Sequence, residues 1–150
     1  MKDNKGFTLI ELLVVLGLAG IVISAVMSFF IANYKNYERI NNESELQYQS
    51  QFIINFMTNK ILEAEEYNEG AYIDRFAFEY ADGTEITFKR EGDEIIYQYG
   101  TDAPVELGSY VVDLEISPES TNAVKIKLTL QKGDSEEYPA EQTVYMRNSN

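Results

Sequence analysis

Residues 7–32 are apolar except for Thr8, Glu11, Ser24 and Ser28, and no further charge occurs before Lys35. As a helix rising about 1.5 Å per residue, such a run crosses a hydrocarbon layer about 30 Å thick. No other feature limits the chain so strongly, because a segment this apolar must stand in lipid or be covered by other protein. Glu11 is out of place in it. An ionised side chain inside a membrane is costly and calls for a partner. Lys2 and Lys5 precede the run, offset only by Asp3, so the N-terminal end is expected to stay on the cytoplasmic side.

Two plain readings account for part of this. A secretory signal peptide has a basic start, an apolar stretch and small residues at its cleavage site, a role Ser24 and Ala25 would have to fill. A carboxylate within the apolar stretch argues against it, and so does the continuation of the run past that point. A simple anchor helix explains the hydrophobicity, but it gives no reason for Glu11 or for the junction of Gly6 with Phe7.

The short polar leader MKDNKG and the motif GFTLIE that follows it resemble the class III signal of type IV pilins and pseudopilins. The resemblance implies that a prepilin peptidase cuts between Gly6 and Phe7 and that the new amine of Phe7 is methylated. Glu11 then becomes the fifth residue of the processed chain, and it is expected to meet the amine of a neighbouring subunit inside a filament. Physical chemistry gives that pairing a reason. N-methylation keeps the amine charged, opposite charges attract strongly where water is excluded, and either one left buried alone is heavily penalised. Glu11 would thus act as a register device during assembly.

The composition narrows the remainder. The 150 residues allow one small domain beside the helix. A formal net charge of −13, from 25 acids and 12 bases, argues against direct nucleic-acid binding. Lys89 with Arg90, and Lys125 with Lys127, are local basic hints that fit solvated strand faces. The chain has no cysteine, so disulfides do not hold the domain, and no histidine, which removes the commonest general base and metal ligand. No nucleotide loop, metal-spaced cluster or nucleophile elbow is present, so neither an enzyme nor a cofactor is expected. Asp134, Glu136, Glu137 and Glu141 form an acidic stretch without the ligand spacing of a calcium loop, and a solvated loop is the simpler reading.

No proline occurs before Pro104 and no glycine between Gly20 and Gly70, so one helix over about 7–67 is expected, on the order of 90 Å long. Gly17 and Gly20 are its expected soft points. Leu46, Ser50, Ile53, Met57, Ile61 and Ala64 step by three and four and share one face, which should dock on a sheet. Phe52 and Phe56 fall beside that face. They either widen it or serve as candidate contacts to an adjacent subunit. Glu63, Glu65 and Glu66 are expected at a frayed helix end.

Beyond Gly70 the period becomes two. Phe76, Phe78 and Tyr80 alternate, Asp82 and Gly83 mark a hairpin turn, and Ile86 and Phe88 resume the alternation. A second turn at 91–93 precedes Ile95, Ile96 and Tyr97, and a loop is expected around Pro104. Val112, Leu114 and Ile116 are expected on one side of a strand with Asp113 and Glu115 on the other, and a turn at 118–122. Val124, Ile126, Leu128 and Leu130 give the clearest strand. An acidic loop over 133–141 and a strand over 143–147 complete the pattern.

The expected fold class is α+β, the pilin fold, with a long N-terminal helix packed on an antiparallel β-sheet. Its divisions are a leader at 1–6, a membrane or filament-core half-helix at 7–32, an amphipathic half-helix at 33–67 and a β-sheet domain at 68–150 packed with 46–64. The segments ELQYQSQFIINFMTNKILEA, DEIIYQYG and TVYMRN resemble W-type minor pilins and J-type minor pseudopilins. That resemblance implies a minor filament subunit, of a priming or tip complex, whose partners are other pilins, the prepilin peptidase and, indirectly, a platform protein and an assembly ATPase. Before assembly it would be a single-pass protein in membrane lipid with its C-terminal domain outside. The rival readings are a pseudopilin of type II secretion or competence and, from another class, a membrane-anchored adhesin or binding module, which predicts an exposed aromatic or basic groove on the sheet.

Overall fold

A computed structural model describes residues 8–68 and 75–147. Its first element is a helix, α1 (Leu9–Leu62), that continues through Gly17 and Gly20. Eight strands follow: β1 (Glu66–Asn68), β2 (Arg75–Glu79), β3 (Glu85–Glu91), β4 (Glu94–Tyr99), β5 (Val105–Gly108), β6 (Val111–Ser120), β7 (Ala123–Leu130) and β8 (Tyr138–Tyr145). The chain divides into two compact units, Met1–Ile40 and Asn41–Asn150.

In the first unit the described residues of α1 are exposed, including every large apolar side chain from Leu9 to Ile40. Among the described residues, α1 is the one helix long and apolar enough to cross a membrane. Three of its polar side chains turn back on the helix. The Ser24 hydroxyl donates to the Gly20 carbonyl at 2.8 Å, Ser28 to Ser24 at 2.9 Å, and the Asn33 amide to Phe29 at 2.8 Å. These bonds answer hydroxyls and amides for which a hydrocarbon environment offers no partner.

The second unit is built on the other part of α1. Leu46, Ser50, Ile53, Met57 and Ile61 are buried on one face, as their spacing predicts, and Ala64 is buried just beyond the helix. They meet two antiparallel sheets rather than one. The first has the order β1-β2-β3-β4-β5 and the second β6-β7-β8. Phe78, Ile86, Phe88, Ile95 and Tyr97 line the inner face of the first, and Leu114, Ile116, Ile126, Leu128 and Val144 that of the second. Each fully buried Ile or Met contributes roughly 1.5–3 kcal/mol, so the helix seam supplies a large share of a core that neither sheet would have alone.

Several boundaries differ from the sequence pattern. The helix stops at Leu62 rather than near Tyr67, because Glu65 and Glu66 leave it to pair with β2. The Glu65 N–H donates to the Glu79 carbonyl at 2.9 Å, and Glu66 stands opposite Glu79. No glycine caps the helix end. Its free carbonyls are answered from afar, with the Tyr80 hydroxyl donating to Lys60 at 3.1 Å and the Arg147 N–H to Leu62 at 3.0 Å.

β5 follows the loop around Pro104 as a short, partly exposed edge strand whose four residues carry little alternation. In β6 the register shifts between Val111 and Asp113, so Val111 is buried and Val112 turns outward. That bulge is invisible to a period-two reading, which places Val112 with Leu114 and Ile116. β6 also runs to Ser120, which shortens the expected turn to Thr121 and Asn122. β8 begins at Tyr138, inside the stretch expected to be loop, and Glu141 there is an ion-pair partner of Lys125 at 3.3 Å.

At the first hairpin the turn is as expected. Gly83 has φ 78° and the Thr84 N–H donates to the Asp82 carboxylate at 2.8 Å. The link between the sheets is held tightly to the helix. A side chain on Gly108 would meet Ile53 Cδ1 at 2.8 Å and Gln49 Oε1 at 3.0 Å, and the Ser109 N–H donates to Gln49 Oε1 at 3.1 Å. Tyr110, next in the chain, takes φ 66° without being glycine, its ring beneath the Lys132 ammonium, which pairs with Glu45.

Gly108→Ala should therefore destabilise the domain by about 1–3 kcal/mol through overpacking. Ile53→Val removes the nearest obstructing atom and should cost less in the Gly108→Ala background than in the native one. Urea unfolding of the four members of this cycle gives the coupling, and strictly additive effects would refute the contact.

Candidate functional site

The start of α1 carries the groups singled out by the sequence. Thr8 precedes the first helical residue and Glu11 lies in the first turn. The Glu11 carboxylate accepts from the Thr8 N–H at 2.9 Å and from the Thr8 hydroxyl at 2.8 Å, while the Glu11 N–H donates to Thr8 Oγ1 at 3.3 Å. The Leu12 N–H donates to the Thr8 carbonyl at 3.2 Å. This reciprocal arrangement is a capping box, in which a threonine at the cap and a glutamate three residues later satisfy amides that the helix leaves without partners. A carboxylate also suits this end, where the helix dipole is positive.

Thr8 is the residue that the sequence reading passed over. The signal was present as T-x-x-E immediately before an apolar run, a recognised cap pattern. In this subunit the acid already has hydrogen-bond donors, and both partners are exposed. Gly6 and Phe7, the expected cleavage junction and methylated residue, lie outside the described residues.

The other singled-out residues sit in the second unit. Phe56 is half-buried, its ring 5.0 Å from that of Tyr97 in an edge-on contact, with the Lys60 ammonium 5.8 Å from its centre. Phe52 touches Phe56 at 6.3 Å between centroids but remains 47% exposed. Burial raises the Tyr97 hydroxyl above its ordinary value, with the nearby Tyr99, Asp102 and Glu63 acting in the same direction.

On the outer face of the first sheet, Arg75, Thr87, Lys89, Glu91, Ile96, Gln98 and Pro104 line an open groove of about 490 Å³. Its cations are engaged, Arg75 with Glu85 at 2.9 Å and Lys89 with Glu91 at 2.6 Å. The groove is thus close to neutral and does not present the basic surface that an anion-binding module would need. Among the described residues, no three carboxylates stand where they could hold a metal ion together.

Thr8→Val removes the hydroxyl from the capping box while keeping the side chain's shape. Amide exchange in the first turn of α1 should then rise roughly five- to tenfold in detergent-solubilised full-length protein. Exchange rates equal to the native ones would show that the box does not hold the helix start.

Residues 1–27 match the family model described as the prokaryotic N-terminal methylation motif. No curated protein and no solved structure matches the chain. The matched stretch spans the Gly6 and Phe7 junction, the Thr8 and Glu11 box and most of the apolar run, and the long helix packed on antiparallel sheets behind it is a pilin-like architecture. The chain therefore carries, over residues 1–27, the prokaryotic N-terminal methylation motif.

Proposed function

We propose that the protein is a minor pilin, a structural subunit cut after Gly6, methylated on Phe7 and assembled into a type IV pilus-like filament. The observation that carries this reading is Glu11 at the start of an exposed apolar helix, inside a stretch that matches the methylation motif. Before assembly the apolar run over residues 7–32 anchors the subunit in the cytoplasmic membrane. Lys2 and Lys5 keep its start on the cytoplasmic side and the sheet domain stands outside.

During assembly the carboxylate of Glu11 exchanges part of its local bonding for the charged amine of a neighbour's Phe7. The capping box supports such an exchange, because Thr8 holds the carboxylate at the helix tip and within the first turn. The work is assembly rather than catalysis. Its partners are other pilins, the prepilin peptidase and, through them, the membrane platform and its ATPase. The minor role and a place in a priming or tip complex rest on the resemblance of residues 45–64, 93–100 and 143–148 to minor subunits.

A pseudopilin of a secretion or competence system shares all of this physics and differs in the length of fibre it enters. An anchored binding module is less well supported, since the groove on the outer face of the first sheet has its cations paired.

Intact mass of the membrane form should show loss of residues 1–6 and gain of one methyl group only when a prepilin peptidase is present. An unchanged mass would overturn the reading. Glu11→Ala should be processed normally, accumulate in the membrane and fall at least tenfold in sheared filament fractions. Normal incorporation would rule out the pairing role of Glu11.

A further inference from the structure

Between Glu11 and Ala32 lie twenty residues, 12–31, without a charge. As a helix they rise about 30 Å, the thickness of a hydrocarbon layer. With Glu11 at one edge of that layer, residues 34–39 rise through roughly the next 7 Å, the depth at which headgroups lie. The chemistry of α1 changes at this point. Tyr34 and Tyr37 are 64% and 70% exposed, and tyrosine concentrates where hydrocarbon meets headgroups. The Tyr34 hydroxyl donates to the Glu38 carboxylate one turn on. Lys35 and Arg39, four apart, share a side of the helix.

Charge sets this turn apart from the rest of the chain. Residues 33–40 hold two bases and one acid, a formal +1, whereas residues 41–150 hold 22 acids and 8 bases, a formal −14. In the second unit Arg75, Lys89, Lys125, Lys127 and Lys132 each hold a carboxylate. Lys35 makes no ion pair among the described residues. Its position is also costly. In the orientation proposed above, Lys35 and Arg39 stand just outside the membrane, and they equal in number Lys2 and Lys5 inside. Lysine and arginine on that side oppose the signal that orients a single span, so these two call for a use that offsets the cost. At headgroup depth the anions at hand are lipid phosphates, and each basic residue near an anionic surface is attracted to it.

We propose that Lys35 and Arg39 form a binding site for anionic phospholipid headgroups in the outer leaflet, in a helix turn that Tyr34 and Tyr37 place at headgroup depth. The proposal rests on the membrane anchoring proposed above and makes no use of Glu11 pairing or of leader cleavage.

A local capture experiment on the full-length protein tests it. The chain has no cysteine, so Asn36→Cys, at an exposed position in the same turn, offers a single thiol for a photoactivatable benzophenone. The labelled protein is placed in vesicles of equal parts phosphatidylglycerol and phosphatidylcholine and illuminated, and the lipid joined to residue 36 is identified by mass. Phosphatidylglycerol adducts should exceed phosphatidylcholine adducts about fivefold, as expected for a net charge of one at the surface. Adding Lys35→Gln should bring the two to equality, Lys35→Arg should keep the excess, and Lys125→Gln with Lys127→Gln should leave it unchanged. Equal adducts on the unsubstituted turn, an excess that survives Lys35→Gln, or an excess removed by inorganic phosphate at constant ionic strength would each overturn the proposal. Flotation of the same samples separates the two readings. A chain that fails to float with the vesicles would defeat the membrane anchor and this site with it, whereas one that floats and captures both lipids equally would defeat the site alone.

Discussion

The second unit depends on one apolar seam. Leu46, Ile53, Met57 and Ile61 of α1 lie against both sheets, and without them a three-stranded and a five-stranded sheet would each expose an aromatic or aliphatic inner face to water. A small sheet cannot bury enough surface on its own to offset the entropy of ordering its strands. The helix is therefore a structural layer of the domain as well as a connection to the apolar run that precedes it. One element has two characters, amphipathic where it meets the sheets and apolar nearly all round from Leu12 to Ala32.

The division of labour along α1 explains why so much was legible in the sequence. Residues whose environment is set by periodicity were placed correctly: the three-and-four spacing from Leu46 to Ala64, the alternation of Val124, Ile126, Leu128 and Leu130, and the turn at Asp82 and Gly83. What escaped were features decided by distant contacts. The helix end was read five residues too far, because its stop is made by Glu65 pairing with Glu79 and by Arg147 reaching back to Leu62. The outward turn of Val112 follows from a register shift in the pairing of β6 with β7, which period-two alternation does not show. β5 is too short to show alternation, and β8 hides its start in acidic residues that one face of an edge strand tolerates.

At the functional end the charge of Glu11 and the Gly6 and Phe7 junction were plain in the sequence, and the methylation-motif match covers the same residues. The capping box was legible too, yet it changes the physical picture of the acid. A glutamate with no bonds in lipid would be an unstable species waiting for a neighbour. Bonded to Thr8, it has a tolerable resting state within the chain itself, and the pairing proposed above would draw on the difference between two bonded arrangements.

The closure of the α1 C-terminus by Arg147 has a temporal consequence. Leu62 emerges from the ribosome long before the residue that answers its carbonyl, and before Met146, which is buried beside the core. Until residues 146 and 147 have followed, the helix has an open end and the second sheet an incomplete margin. A chain stopped short of these residues would display that gap to proteases, so the arrangement couples completion of the fold to resistance against degradation.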